Sequence, residues 1–464
     1  MTGTPPRWTV LALVCACQFM VILDVSIVNV ALPSIQRDLG FTPTGLAWVV
    51  NGYLLAFAGF MLPGGRAADL FGHRRMLVAG LALFSAASLA AGLAGTPAVL
   101  VTARVAQGLG AAALAPATLA VLGTAFTDPR QRARAFGAWS AAGGVGGMVG
   151  AIAGGAITTG LSWEWVYLIN VPIGAVLIAV AMASLTAART GRREALDLTG
   201  ALTGTAGLTA LVWGVMQSAG HGWASGRVAG PVAVGVLLLA AFVVVEARSA
   251  THPMVPLRLF GLRGVAAGNG MLLLFGGIAI AMWYFTALFL QDVLGYSALD
   301  AGLGQTPAAV TFVVVARVSA GLLPRAGARA LVLAGCAFLV AGFGWLARAG
   351  AGSGYVTGLL GPMLLVAVGI GLTFPTLMAV ATAAVPDGDA GTAGGLASTA
   401  SQVGGSIGLA VLATAGGYAV VFGLAAGFAL AVAAIGLLLP GRAGRPSGGS
   451  LAPEQQETLA PEQH

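Results

Sequence analysis

The sequence predicts an all-α polytopic membrane protein with fourteen transmembrane helices, and three observations carry that prediction. First, the 464 residues are 58% hydrophobic and only 8% charged, with a mean hydropathy of +0.92. A soluble globule carries about 25% charged residues, so this chain cannot cover a water-facing surface. Second, apolar runs long enough to cross a bilayer, about 20 residues each, recur along the whole chain. Third, every one of the 22 basic residues is Arg. They cluster in alternate connections, as the positive-inside rule requires.

In order, the spans fall near 8–32, 45–65, 76–95, 97–121, 134–158, 164–186, 197–218, 228–246, 264–290, 301–323, 329–347, 355–383, 392–415 and 418–439. Each must be a helix, because a backbone in lipid has to satisfy its own hydrogen bonds. With the N-terminus inside, the cytoplasmic side receives Arg66, Arg74 and Arg75, then Arg130, Arg132 and Arg134. It also receives Arg189, Arg192, Arg193, Arg248, Arg258, Arg263, Arg325 and Arg329, with Arg442 and Arg445 in the tail. The outside receives only Arg37, Arg227 and Arg348. An even helix count with both termini cytoplasmic follows. Only Gly416-Gly417 separates the last two spans, but fusing them would carry Arg442 and Arg445 outside, against the charge rule. The stretch after Pro440 is rich in Gly, Pro and Ser and repeats Leu-Ala-Pro-Glu-Gln at Leu451 and Leu459. It reads as a disordered cytoplasmic tail.

Several functions are set aside by composition. The +7 net charge sits in loops facing one side and does not point to nucleic acid. Cys15, Cys17 and Cys336 fall in apolar spans and read as small buried hydrophobes. Cys15-x-Cys17 has no neighbouring His or further Cys to make a metal site. No nucleophile–base spacing suggests an enzyme acting within the membrane, and no cofactor is implied. The first apolar stretch is too long for a cleavable signal peptide.

Asp24 is the most informative residue. It lies inside the apolar stretch from Trp8 to Pro33, where a carboxylate costs roughly 2.5–3.5 kcal/mol on insertion scales. Such residues face cavities and handle protons, ions or substrate. Arg104 lies in the fourth span and needs a partner for the same reason. If helix 1 ends near Pro33, Asp24 sits roughly 13 Å in; Arg104 sits roughly 10 Å beyond Pro97. The two charges therefore share a depth. Arg keeps its proton, so Asp24 is the member that can trade its charge when a proton or cationic substrate arrives. The alternative is a static buried pair that only fixes packing.

Three further motifs stand out. The second connection reads Gly65-Arg66-Ala67-Ala68-Asp69-Leu70-Phe71-Gly72-His73-Arg74-Arg75. Gly65 and Gly72 permit a tight turn, and Asp69 with Arg74 and Arg75 can latch helices on the inner side. Gly321 to Arg329 is a degenerate copy without the acid. Helix 4 carries Arg104-Val-Ala-Gln107-Gly108-Leu-Gly110, followed by Pro116. Helix 5 carries glycine rows at four-residue spacing, 143/147 and 146/150/154, suited to close helix approach.

Together with Leu23-Asp24-Val25-Ser26-Ile27-Val28-Asn29-Val30 and Asn170-Val-Pro172-Ile-Gly174, these motifs resemble those of the major facilitator superfamily. The chain looks like a member of its fourteen-helix drug/proton antiporter family, the EmrB/QacA-type multidrug exporters. The resemblance implies a major facilitator fold: two six-helix bundles with two inserted transmembrane helices. It divides the chain into 1–190, 191–255 (the inserted pair), 256–440 and the tail 441–464. It implies proton coupling through Asp24 and Arg104. Gly65, Asp69, Gly72, Arg74 and Arg75 become a conformational latch, and Gly143, Gly147, Gly150 and Gly154 pack helix 5 as part of an outer gate. Ala151 stands where the family usually has Pro, and Glu164 where Arg is common.

A ligand would meet polar and aromatic groups within the spans. Asn51, Gln107 and Asn269 are candidates, because a buried amide is costly unless paired. Trp139, Trp283 and Tyr284 are candidates because aromatics stack organic molecules and attract cations. Trp48, Tyr53, Trp213, Phe285 and Phe374 share that chemistry but can equally face lipid. Arg317, within helix 10, can snorkel. The expectation is a multi-pass transporter of the cell's inner (plasma) membrane, its partners being protons, a small-molecule substrate and the lipid bilayer, working as a monomer. It exports small amphipathic organic compounds by alternating access. The competing reading is a dedicated exporter of one metabolite, siderophore or biosynthetic product that confers self-resistance.

Overall fold

The computed structural model describes residues 7–126, 128–185, 197–248, 255–383, 385 and 389–439. Its fourteen helices long and apolar enough to cross a membrane are α1 (Arg7–Leu39), α2 (Pro43–Phe71), α3 (His73–Gly92), α4 (Pro97–Ala125), α5 (Arg130–Gly160), α6 (Trp165–Ser184) and α7 (Thr199–Gln217). The rest are α8 (Gly226–Arg248), α9 (Arg263–Val293), α10 (Ala298–Ala326), α11 (Ala328–Leu346), α12 (Gly358–Thr382), α13 (Gly391–Ala413) and α14 (Tyr418–Gly436). The predicted tail and the arginines at 189, 192, 193, 442 and 445 lie outside the described residues.

Local chemistry sets the helix ends. Thr42, Thr96 and Asp128 each accept a hydrogen bond from the backbone N–H three residues on, at 3.0, 3.4 and 2.8 Å, and each precedes a proline. That pairing satisfies an orphan donor and presets the first helical φ. Gly72 (φ +93°) turns α2 into α3, and Gly327 (φ +81°) turns α10 into α11. The same one-glycine turn at both loops matches the proposed duplication of the motif. Gly417 (φ +148°) opens α14 and keeps it separate from α13.

One expectation fails here. Helix 1 does not end near Pro33; α1 runs through it to Leu39, with Pro33 inside the helix and buried. Asp24 thus lies 15 residues from the end of α1 (39 − 24), roughly 22 Å along the axis.

Helices α1–α6 pack among themselves through α1–α5, α2–α4, α3–α4 and α3–α6, and α9–α14 through α9–α13, α10–α12, α11–α12 and α11–α14. The inserted α7 and α8 pack on each other, and α7 also touches both α2 and α13. The two bundles meet along α5–α10 and α2–α13. Because consecutive helices alternate in direction, one end of the molecule carries most arginines and the other carries Arg37, Arg227 and Arg348. The close approaches of α5 to α10 run from Gly144/Val313 to Gly155/Ala298 and Thr159/Leu299, in the halves toward the Arg-poor end. Toward the Arg-rich end Phe136, Val314 and Val318 are exposed. Gln291 adds a tie at the Arg-poor end, donating to the Val30 carbonyl at 3.0 Å.

Candidate functional site

Asp24 and Arg104 meet. Arg104 Nη1 donates to Asp24 Oδ2 at 2.6 Å, with the two residues 1% and 0% exposed. Helix periodicity brings Gln107 onto the same face of α4 as Arg104. Gln107 Oε1 accepts from Arg104 Nη1 at 2.9 Å, and its Nε2 donates to Asp24 Oδ1 at 3.0 Å and Ser88 Oγ at 2.7 Å. Asn170 Nδ2, from α6, donates to Asp24 Oδ1 at 2.9 Å. The carboxylate therefore accepts three hydrogen bonds from two helices.

The guanidinium is held equally firmly. Arg104 Nε donates to the Val49 carbonyl on α2 at 2.9 Å. Its Cζ lies 4.5 Å from the Tyr53 ring centroid and 5.8 Å from that of Tyr167, within cation–π range. Glycine makes the approach possible: a Cβ at Gly108 would lie 2.5 Å from the Tyr53 carbonyl oxygen. The pair is thus a knot of α1, α2, α3, α4 and α6. It satisfies the condition that buried charges be paired and hydrogen-bonded.

The other predicted residues are placed differently from a single pocket. Gln107 is bonded to the ion pair and to Ser88. Asn51 is also engaged by protein: its Oδ1 accepts from Ser406 Oγ on α13 at 2.8 Å, and its Nδ2 lies 3.7 Å from Met216 Sδ on α7. The reason is the same for both: a fully buried amide finds a protein partner when one is in reach. Asn269 Nδ2 donates to Val265 of its own helix at 2.8 Å, while its Oδ1 is buried without a partner among the described residues. Trp139 is half-buried with its indole nitrogen likewise unpartnered, Trp283 is half-buried, and Tyr284 is buried edge-on against Phe285. Among the described hydrogen bonds and ring contacts, none joins these four to Asp24. Trp213 is 49% exposed on α7 and packs on Trp48, and Tyr53 packs on Arg104. Arg317 is exposed.

The glycine rows of α5 face α1 more than the opposite bundle. A Cβ at Gly154 would lie 2.7 Å from the Ile27 carbonyl oxygen, and one at Gly150 would lie 2.9 Å from that of Leu23. Gly143 and Gly147 lie beside Gln18 and Ile22, and Ser26 Oγ donates to the Gly147 carbonyl at 2.6 Å. The contact with α10 is made instead by Gly155, which faces Ala298 and Leu299, and by Ala151, against Gly302. With Ala at 151, α5 stays one helix to Gly160. At the second connection, Arg74 Nη2 donates to the Met182 carbonyl at the end of α6, 2.8 Å away, so this arginine fastens α3 to α6.

Sequence reasoning missed Ser88 and gave Asn170 and Tyr167 no chemistry. Asn170 carried a usable signal, an amide inside an apolar span. Ser88 and Tyr167 carried none, since both are ordinary residues in membrane helices. Among the described residues no group of three or more His, Cys, Asp or Glu converges as a metal site would.

Comparison with known proteins agrees with this architecture. The chain is 47% identical over 417 residues to the cephamycin export protein CmcT of Amycolatopsis lactamdurans, covering 89% of this chain and 86% of that one. It is 39% identical over 418 residues to the puromycin resistance protein pur8 of Streptomyces alboniger, covering 88% and 82%. A D-xylose–proton symporter structure superposes with a TM-score of 0.69 at 13% identity, over 94% of this chain and 98% of that one, which speaks to the fold alone. The profile of the Major Facilitator Superfamily matches residues 14–409, and the chain belongs to that family of transporters.

Proposed function

We propose that this protein exports small amphipathic organic compounds across the plasma membrane in exchange for protons. The observation that carries the reading is the Asp24–Arg104 pair, removed from solvent and gripped by five helices. A proton reaching Asp24 cancels the charge that Arg104, Gln107 and Asn170 hold. The knot then loosens, and with it the relative positions of α1, α4 and α6. Because α1 packs along α5, and α5 meets α10, a shift in α1 is delivered to the contact between the bundles. The transmembrane field contributes about 2.3 kcal/mol per charge per 100 mV.

In this reading the Arg-rich end and both termini are cytoplasmic. Residues 1–190 and 256–440 move as bundles, and the closed Arg-poor end faces outward. Asn51, Gln107, Asn269, Trp139, Trp283 and Tyr284 are the candidates for substrate contact, and a monomer suffices. Export into everted vesicles should collapse on adding a protonophore and should be lost in Asp24→Asn. Undiminished, gradient-dependent export by that variant would remove Asp24 from the coupling step.

A dedicated exporter of one biosynthetic product is the second reading. It is favoured by the 47% identity to a protein named for cephamycin export. A susceptibility panel in a pump-deficient host separates the two: protection against one scaffold favours the dedicated exporter, and protection across unrelated scaffolds the broad one.

A further inference from the structure

Two of the three arginines at the Arg-poor end are engaged locally. Arg37 Nη2 donates to Ser34 Oγ at 3.3 Å, and Arg227 Nη1 lies 2.8 Å from His221 Nε2. The Arg348 guanidinium has no hydrogen bond or ion pair among the described residues. It opens instead onto a cavity of about 610 Å³ between the ends of α11 and α12. An arginine on the side that charge bias empties, unpaired beside a cavity, calls for a ligand.

The cavity has a polar rim and an apolar floor. Arg348 and Ser353 form the rim, and Val340, Gly344 and Leu365 the walls below. Ser353 Oγ accepts from Gly350 N at 3.0 Å, and among the described residues its O–H donates to none. Val340 lies six residues inside the end of α11 (346 − 340), and Leu365 seven inside the start of α12 (365 − 358). Both walls therefore descend about 9–10 Å toward the bilayer centre. A Cβ at Gly344 would meet nothing within 4 Å, so glycine keeps the channel open. Trp345, 44% exposed, stands at the same level with its ring against Gly361, where indoles sit at the membrane interface.

We propose that this groove binds a glycerophospholipid of the surrounding leaflet. The phosphate lies on Arg348 and Ser353, and an acyl chain runs down past Gly344 between Val340 and Leu365. Charge complementarity identifies the occupant: a guanidinium presents a fork of donors that matches phosphate oxygens. The floor distinguishes a lipid from a soluble anion, which would satisfy the arginine and leave the apolar walls wet. The site is separate from the Asp24–Arg104 knot and does not depend on the transport reading.

Native mass spectrometry of the full-length protein in detergent, titrated with dioleoylphosphatidylglycerol, tests it. The wild type is expected to retain a phospholipid that Arg348→Gln holds about tenfold more weakly, the usual weight of a charge-assisted hydrogen bond. Arg348→Lys should keep most of the affinity. Leu365→Trp, which fills the floor and leaves the guanidinium in place, should lose the lipid too. Fluorescein, a soluble organic anion, should not displace it. Equal retention by wild type, Arg348→Gln and Leu365→Trp would overturn the proposal. So would fluorescein binding that depends on Arg348 and ignores the tryptophan. If Arg348→Gln misfolds, the lysine and tryptophan variants decide.

Discussion

Asp24→Asn is a nearly isosteric change with a large expected cost. The native carboxylate accepts from Arg104 at one oxygen and from Gln107 and Asn170 at the other. An amide has one oxygen and one NH₂ group. Whichever way it turns, its N–H bonds face at least one N–H donor, and Arg104 keeps its charge at 1% exposure with no counter-ion. Removing one member of a buried pair costs about 3–5 kcal/mol. Removing the guanidinium as well relieves the uncompensated charge, so Asp24→Asn with Arg104→Met should recover part of the loss. Equilibrium unfolding in mixed micelles of the two single variants and the double variant gives the coupling energy, expected at about 2–3 kcal/mol. Strictly additive losses, or an Asp24→Asn variant as stable as wild type, would refute the account of the knot. Transport should stay absent in the double variant even as stability returns, which separates packing from coupling.

Other outcomes follow from the same geometry. Asn170→Leu removes a donor to a charged acceptor and should cost about 1.5–3 kcal/mol in the same unfolding assay, with a shifted pH profile of export. Cysteines at Thr159 and Leu299, whose side-chain oxygen and backbone nitrogen lie 3.3 Å apart, should be joined by a short bifunctional reagent in the resting protein. A proton gradient with transported substrate should reduce that yield; an unchanged yield would count against opening at the Arg-poor end. Arg74→Gln loses the bond to the Met182 carbonyl and should cost about 1 kcal/mol, with Arg74→Lys intermediate.

The charged residues were the most legible part of the site. Asp24 and Arg104 were conspicuous because hydrocarbon tolerates so few charges, and no other acid in the first six helices lies so deep in an apolar run. Asp24 and Arg104 pair even though α1 continues past the boundary expected at Pro33. Proline lacks an N–H and so removes one backbone bond, yet α1 continues through Pro33 to Leu39. Gln107 and Asn51 were legible as costly amides. Their partners were not, because a buried amide accepts any donor or acceptor within reach, and reach is set by how helices cross. The glycine spacing on α5 announced a close approach but not that α1 would fill it.

Composition and charge placement determined on their own that the chain spans a membrane with fourteen helices, because the cost of burying backbone and charge in lipid acts on each segment separately. Which side chains complete the Asp24–Arg104 knot was decided only when α1, α2, α3, α4 and α6 packed together. The same holds for Asn51 bonding across the bundles and for Arg348 facing a lipid-sized groove. Hydrogen bonds and cavities depend on distances between segments far apart in the chain, and those distances exist only in the folded molecule.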